Sequence, residues 1–362
     1  MRVLHFSTTP LAGMPVRLVQ ALNRWTGIDA RLADLNRFGL YDHDLAFSES
    51  PDQIQQLAAQ ADIIHLHNYL DLDSRAFAPL NFRELAAQGK RIVRQFHSTP
   101  QLVAQVMGIT PEALLAQDIP CLAIAQYPER LYPRAMVVPN FVPETMPLYA
   151  PDQGEPLWDV FYSHTKDLDA WEDRWSTKGA PQVLAMLARL ERERGLRVRT
   201  ATGLPLDQVL ALKRKSRVVL DDLVTGSYHL TGLEGLAQGK AVLARLDERS
   251  LALLRRFSGA DAHPFLNVRL EDAPEVLAAL AADPDLTREL GAASRRWLEE
   301  HWPERRMVEH YAAAYDLLLE DPALVRRQPE LALSGRADSF LARDLPDLIQ
   351  AARAARWRGH DI

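Results

Sequence analysis

Cysteine is nearly absent from this sequence of 362 residues, because Cys121 is the only one and no intrachain disulfide can form. Such usage fits a reducing compartment, and we expect a cytoplasmic protein. No run of 18 apolar residues occurs, which predicts no transmembrane segment but leaves peripheral membrane contact open. The opening stretch MRVLHFSTTP also lacks the apolar segment and cleavage site of a secretory signal.

A strong charge of either sign is also missing, since the formal net charge is −6 at pH 7. Binding along a phosphate backbone needs a concentrated basic surface, so we expect no nucleic-acid partner. Hydrophobic residues make up 47% of the chain and charged residues 25%, which is ordinary for globular proteins. The length suits two domains, each large enough to bury a core.

Short apolar runs alternate with stretches of helical spacing. Residues 2–7 (RVLHFS) predict a strand, the turn TPLAGM follows, and VRLVQALNRW then shows helical spacing. This order opens a βαβ unit. Further strands are predicted at 61–66, 91–96, 121–125 and 135–139. The series predicts an open, mainly parallel sheet with helices on both faces.

A proline-rich segment interrupts this alternation, with five prolines between 139 and 157. We place a hinge at 141–157, between an N-terminal domain of residues 1–140 and a C-terminal domain of residues 158–335. The amphipathic segment 336–362 is expected to cross back onto the first domain. The predicted fold class is α/β, with two doubly wound, Rossmann-like domains that face a central cleft.

The strongest chemical signal is the segment Gly226–Gly239, which reads GSYHLTGLEGLAQG. A loop of small and polar residues leads into a predicted helix that begins near Thr231. Backbone N–H groups at a helix N-terminus bind phosphate without a charged side chain. Glu234, on the first turns, is placed to accept both hydroxyls of a ribose. An ordinary surface glutamate on a capped helix is the alternative interpretation.

The same segment resembles the signature of family 4 glycosyltransferases, E-[SG]-F-G-L-x-x-x-E-A-x-A-x-G-x-P-V, enzymes of the GT-B fold. The matching positions are Ser227, Tyr228, Leu230, Glu234, Ala237, Gly239 and Val242. The resemblance implies that Glu234 holds the nucleotide ribose. It also implies that the loop from Ser227 through Tyr228, His229 and Leu230 faces the donor diphosphate. The first glutamate of the signature, which contacts the donor sugar, is replaced here by Gly226.

Five further segments resemble the family in the same order along the chain. They are DIIHLHN at 62–68, RQFHSTP at 94–100, VVPNFVP at 137–143, TKGAPQVL at 177–184 and the closing helices at 285–315.

The resemblance implies that residues 1–140 form an acceptor-side domain and residues 158–335 a donor-binding domain. It also implies roles for three residues outside the signature. Lys178 precedes Gly179 at a helix start, where a lysine is a point charge for the diphosphate. His97 resembles the histidine beside the donor's anomeric centre, and a histidine can bond a sugar hydroxyl or carry protons. Gly13 lies in the first strand-to-helix turn, where backbone can approach a phosphate or an acceptor closely.

Two expected contacts of the donor have no residue at the usual position. The family arginine upstream of Lys178 is absent, and Lys166 or Arg174 would replace it. The carboxylate missing at Gly226 would be supplied by Asp222, four residues upstream. A polar strand end without a ligand is the alternative for Asp222.

His65 and His67 lie two residues apart, on one face of a predicted strand, and together with Asp71 and Asp73 they could form a metal site. The GT-B fold does not need a metal bound by a D-x-D motif. We therefore expect no metal ligand in this chain.

We expect a glycosyltransferase of the hexosyltransferase type, which moves a sugar from a nucleotide-sugar donor with retention of configuration. The acceptor is an unidentified glycan, lipid or small molecule, and no cofactor is needed beyond the donor. His97, Lys178 and Asp222 are the candidate catalytic residues. Two alternatives stay open: a sugar-nucleotide epimerase on the same fold, and a non-catalytic module that binds a nucleotide-sugar or glycan.

Overall fold

The computed structural model describes residues 1–41, 43–152, 154–164, 177–328, 331, 335–349 and 351. Lys166 and Arg174, which were expected to replace the family arginine, lie outside these residues. No described helix combines the length and the apolar composition that a membrane span requires.

Twelve strands and thirteen α-helices are defined within the described residues. The strands are β1 (Arg2–Ser7), β2 (Asp29–Asp34), β3 (Leu45–Ala46), β4 (Ile63–His67), β5 (Arg91–Phe96), β6 (Cys121–Ile124), β7 (Ala135–Val138), β8 (Trp158–Ser163), β9 (Val198–Ala201), β10 (Ser216–Leu220), β11 (Ala241–Ala244) and β12 (Leu266–Asn267). The helices are α1 (Met14–Trp25), α2 (Pro51–Gln60), α3 (Phe82–Ala87), α4 (Pro100–Met107), α5 (Pro111–Ala116), α6 (Ala180–Arg194), α7 (Leu206–Arg214), α8 (Leu230–Ala237), α9 (Glu248–Ser258), α10 (Ala273–Ala282), α11 (Pro284–His301), α12 (Glu304–Glu320) and α13 (Arg336–Ser339).

The chain divides into two compact units. Unit 1 comprises residues 1–155, 201–215 and 302–329, and unit 2 comprises the remainder. The segment that returns to the N-terminal unit is therefore 302–329. Residues 340–344 contact α9 of unit 2, and the crossing of 336–362 onto the first domain remains a prediction. The hinge function of 141–157 stays a prediction.

Unit 1 is built on a seven-stranded sheet with the order β3-β2-β1-β4-β5-β6-β7, and all its strand pairs are parallel. Helices cover both faces of such a sheet, so its central strands are buried on both sides. In β4 all five residues are buried, and in β1 and β5 all but the first. Any polar residue inside these strands must therefore find its partners within the protein.

Unit 2 is built on a five-stranded sheet with the order β12-β11-β10-β8-β9. β10 lies at its centre and pairs in parallel with β8 and with β11. The apolar side chains of α6 and α10 pack with those of the strands in one core cluster. Two doubly wound parallel sheets confirm the predicted α/β fold class.

Candidate functional site

The loop after β10 in unit 2 is organised by two buried carboxylates. Asp222 accepts hydrogen bonds from the backbone N–H groups of Val224 and Thr225 at 2.7 and 2.8 Å, and from the Thr225 hydroxyl at 2.5 Å. Asp221 accepts the backbone N–H of His229 at 2.6 Å. Both oxygens of Asp222 are thus engaged inside its own loop. This geometry gives Asp222 a positioning role and lends no support to the expected sugar contact.

His229 lies at the start of α8 and faces the same carboxylates. Its Nδ1 atom is 3.4 Å from an oxygen of Asp221 and 3.8 Å from one of Asp222. Its backbone amide, which was expected to face the donor diphosphate, instead donates to Asp221. The N-terminus of α8 is therefore partly satisfied by a carboxylate of the protein itself.

Gly226 has a specific structural reason to be glycine. Its φ of +87° is left-handed, and a Cβ atom there would lie 2.9 Å from the Oδ2 atom of Asp247. Asp247 is held in place because it caps α9 by accepting the backbone N–H of Ser250 at 2.9 Å. Its own backbone N–H donates to the carbonyl of Gly226 at 2.9 Å. The glutamate of the signature has no room at this position.

The first turns of α8 carry the predicted ribose ligand. Glu234 is only 4% exposed. One turn earlier, the Thr231 hydroxyl lies 3.0 Å from that of Ser163 at the end of β8. Tyr228 is fully buried and stacks on Phe265 with a centroid separation of 5.6 Å, so its side chain anchors the loop in the core.

Lys178 lies in a turn that touches the same loop. Lys178 and Gly179 have left-handed φ values of 54° and 71°, directly before α6. A Cβ atom on Gly179 would come within 2.5 Å of a methyl group of Val224. The Lys178–Gly179 turn therefore packs against Val224, two residues before the predicted loop, at the carboxyl edge of adjacent strands β8 and β10.

Unit 1 contains a hydrogen-bonded chain of buried rings, which we call the histidine chain. His97 Nε2 lies 3.0 Å from His67 Nδ1, and His67 Nε2 lies 3.1 Å from His5 Nδ1. His5 Nε2 lies 3.4 Å from the hydroxyl of Tyr315, which lies 2.7 Å from His65 Nδ1. The chain therefore runs from the carboxyl end of β5 through β4 and β1 to α12.

Burial keeps these imidazoles neutral. Desolvation lowers the pKa of His5 and of His97 to about 3, and it lowers the pKa of His65 and His67 well below 6.5. A chain of neutral rings needs one proton per hydrogen bond, so the tautomer of each ring depends on its neighbour. His97, the half-buried end, thus has its proton position set by His67.

The backbone of His97 is fixed by Asn68, which directly follows β4. The side-chain oxygen of Asn68 accepts the N–H of His97 at 2.8 Å, and its amide group donates to the Ser98 hydroxyl at 3.0 Å. Arg94 donates to the carbonyl of Asn68 at 2.9 Å. These bonds hold His97 at the end of β5, as the sequence predicted.

The three strand histidines (His5, His65 and His67) also place one ring nitrogen each within 4.8 Å of the others, a spacing that invites a metal. Their ring planes argue against it. The ring of His65 stacks on those of His5 and His67 at 4.4 and 4.5 Å, and imidazole lone pairs lie in the ring plane. Stacked rings direct these lone pairs side by side instead of toward one point. Both ring nitrogens of His5 and of His67 are hydrogen-bonded, and so is Nδ1 of His65, whereas Nε2 of His65 has no partner among the described residues.

Asp71 and Asp73, the acidic residues of the possible metal site, have other partners. Asp71 accepts the hydroxyl of Ser74 and the backbone N–H of Asp73, and Asp73 pairs with Arg83. The absence of a metal ligand stays a prediction.

Gly13 lies where the sequence placed it, between β1 and α1. Its φ is +77°, and a Cβ atom there would lie 3.6 Å from the ring of Tyr41 and from Leu206. Gly13 and His97 belong to unit 1, whereas Lys178, Asp222, Glu234 and the loop residues Ser227–Leu230 belong to unit 2.

Sequence reasoning missed several residues of these clusters. His5 and Tyr315 are 310 positions apart, and no motif connects them. Asp34 and Asp247 were also missed. Asp34 ends a strand next to β1, a position where acidic residues bind hydroxyls in other nucleotide folds, and this signal was available.

No protein-family model matches the sequence, and no curated protein matches it. Solved structures do match. Sucrose-phosphate synthase from Thermosynechococcus elongatus superposes with a TM-score of 0.55 at 13% identity, over 88% of this chain and 99% of that one. The chain has the GT-B fold.

Two further structures support this assignment. An alpha-glucosyltransferase in complex with UDP and a DNA 13-mer containing an HMU base gives a TM-score of 0.53 at 13% identity. A glycosyltransferase from Rickettsia africae ESF-5 gives 0.51 at 11% identity. Each match covers 88% of this chain and 99% of the other. At such identities the likeness concerns the fold.

Proposed function

We propose that this protein is a glycosyltransferase whose nucleotide-sugar donor binds in unit 2. The observation that carries the proposal is the contact between the Lys178–Gly179 turn and the loop at Val224, with Glu234 buried on the helix that follows. Ligands of doubly wound sheets bind at this carboxyl edge. The UDP present in the alpha-glucosyltransferase of the same fold supports the proposal.

Each residue of unit 2 has a proposed role. Glu234 accepts the ribose hydroxyls, and Lys178 places a positive charge by the diphosphate. The backbone N–H groups of Ser227 and Leu230 add hydrogen bonds and the positive end of the α8 dipole. Stabilising the leaving diphosphate is then the main catalytic contribution of this unit. Asp222 and Asp221 act indirectly, because they shape the loop.

The finer parts of the proposal rest on the resemblance in the signature. They are retention of the anomeric configuration, independence of a metal, and the role of His97 at the sugar. The acceptor class is a glycan, lipid or small molecule. NMR of the anomeric proton in the product tests retention, and activity in the presence of EDTA tests metal independence.

Calorimetry with UDP, GDP and ADP tests the donor site. In Glu234→Gln the side chain keeps its size but loses its charge, and the affinity for the preferred nucleotide should fall by about 1–3 kcal/mol, or roughly 5- to 150-fold. Glu289→Gln, on the exposed side of α11, is the matched control and should bind normally. If no nucleotide binds the wild-type protein, or if Glu234→Gln binds as tightly, the donor site is not where we place it.

Incubation with nucleotide-sugars separates transfer from the alternatives. A transferase releases nucleoside diphosphate slowly by donor hydrolysis even without acceptor. An isomerised donor would establish the epimerase alternative instead. Nucleotide binding without any turnover would establish a binding module.

A further inference from the structure

Asp34, at the end of β2 in unit 1, is a carboxylate without a partner. The residue is 0% exposed, and neither carboxylate oxygen has a hydrogen-bond partner among the described residues. The charge that acts on it most is that of Asp44, which has the same sign and is itself paired with Arg31 at 2.7 Å. Buried carboxylates are normally satisfied by several donors, so this one is missing the groups that would pair with it.

Two further buried polar atoms with no partner lie at the same edge of the sheet. They are the hydroxyl oxygens of Thr9 and Tyr41. Asp34 is the register partner of Ser7, whose hydroxyl donates to the carbonyl of Thr9 at 2.7 Å, so the chain at Thr9 leaves the sheet beside Asp34. The negative charge of Asp34 adds to burial in raising the pKa of Tyr41. Asp34 and Tyr41 therefore lie close together, and the chain passes the end of β2 at Thr9.

The turn between β1 and α1 borders these residues, because Gly13 lies next to the ring of Tyr41. Leu11, Ala12 and Gly13 have consecutive left-handed φ values of 44°, 54° and 77°. The ring of Tyr41 lies 3.6 Å from where a Cβ atom of Gly13 would lie, which is an ordinary contact distance. Non-glycine residues in this conformation are strained, and such strain concentrates at sites that hold ligands.

We propose that Thr9, Asp34 and Tyr41 form a binding site for a sugar or polyol, with two adjacent hydroxyls of the ligand donating to the carboxylate of Asp34. Acidic residues at the end of this strand hold vicinal hydroxyls in other doubly wound domains. A dinucleotide fits less well, because the turn TTPLAGM carries one glycine and not the three that let backbone approach a pyrophosphate. The hydroxyls of Thr9 and Tyr41 add groups that both donate and accept, which suits a neutral ligand.

The site is independent of the donor site in unit 2. In the framework of the proposed function, and resting on it, the bound sugar or polyol is the acceptor. Binding of a sugar or polyol in the absence of nucleotide tests this site alone. The site and the donor site can therefore be supported or refuted independently, the latter by the nucleotide calorimetry.

Saturation-transfer NMR with D-glucose, N-acetyl-D-glucosamine, D-mannose, myo-inositol and glycerol tests the proposal on the full chain. At least one probe should bind wild type saturably, and Asp34→Asn should weaken that binding at least about tenfold. Asp29→Asn is the matched control, because Asp29 is exposed at the other end of the same strand, and it should bind as wild type does. Thr9→Val should weaken binding to a smaller extent.

A stability measurement keeps the result interpretable. Asp34→Asn removes a buried charge without changing the shape, so the variant should unfold at the same or a higher urea concentration than wild type at pH 8. Loss of probe binding in a variant of undiminished stability supports the site. The proposal is overturned if no probe binds wild type, if Asp34→Asn binds equally well, or if Mg²⁺ alone binds in an Asp34-dependent manner.

Discussion

Gly226→Ala tests the explanation for the altered signature. The substitution forces a side chain into a backbone with φ of +87° and places its Cβ atom 2.9 Å from Oδ2, 3.1 Å from Cγ and 3.2 Å from Cβ of Asp247. Asp247 cannot withdraw freely, because it caps α9 through Ser250 and donates its N–H to Gly226. Two separate penalties therefore act on the variant.

Both penalties can be given a magnitude. A left-handed conformation costs an alanine about 1–2 kcal/mol relative to its preferred region. Overlap with a well-packed neighbour costs typically about 1–3 kcal/mol. The free energy of unfolding of Gly226→Ala should thus fall by about 2–5 kcal/mol in urea denaturation followed by circular dichroism.

Gly195→Ala is the matched control for the backbone term. Gly195 ends α6 in the same unit with φ of +67°, and its Cβ atom would meet nothing within 4 Å. This control should lose only about 1–2 kcal/mol. If Gly226→Ala loses no more than Gly195→Ala, the close approach of Asp247 is not what excludes a side chain. In an Asp247→Ala background the difference between the two should shrink, which a double-mutant cycle measures.

Three further predictions use the same denaturation assay. As the pH falls from about 6 to about 4.5, the unfolded chain binds four protons, on His5, His65, His67 and His97, that the folded chain does not. Folded Asp34, with its pKa raised to about 7, binds one proton that the unfolded chain does not. The balance of three protons lowers the free energy of unfolding by about 4 kcal/mol per pH unit, and a flat profile would contradict the burial of neutral histidines. Tyr315→Phe leaves Nδ1 of His65 unpaired and should lower the free energy of unfolding by about 1–3 kcal/mol, and ¹⁵N chemical shifts report whether the tautomer of His97 changes. Unchanged stability would contradict the hydrogen bonds of the histidine chain. Asp222→Asn keeps an acceptor for both loop amides and should cost less than Asp222→Ala, which loses all three bonds; equal losses would rule out the loop-shaping role.

The fold was predictable where strands are buried on both faces. The bounds of β1 and β5 agree with the predicted 2–7 and 91–96. Their sequences, RVLHFS and RIVRQF, are mainly apolar, and short apolar runs are the clearest local signal of a parallel sheet. β2 was missed because its sequence DARLAD places charged residues among the apolar ones, and its pairing with β1 supplies what the local pattern does not.

The candidate site was predictable only where its residues are close in sequence. The strand–loop–helix order around Glu234 follows from local pattern, and so does the glycine turn after Lys178. The contact of that turn with Val224 depends on β8 lying beside β10, which no local pattern specifies. The loss of the signature glutamate at Gly226 likewise depends on Asp247, which lies 21 positions away and belongs to the next helix.

The histidine chain explains why a late segment of the sequence belongs to the first unit. Strands β1 and β4 carry three histidines in positions where the sheet is buried on both faces, and their own neighbours cannot satisfy all of the ring nitrogens. α12 supplies two further partners, because the Tyr315 hydroxyl lies within hydrogen-bond distance of His5 and His65, and Tyr311 accepts the side-chain amide of Gln95 at 3.1 Å. An unsatisfied buried polar group costs more free energy than an ordinary hydrogen bond contributes. Packing of α12 therefore stabilises the buried strands of unit 1. Polar residues inside an otherwise apolar strand therefore predict a distant partner, although they do not say which segment provides it.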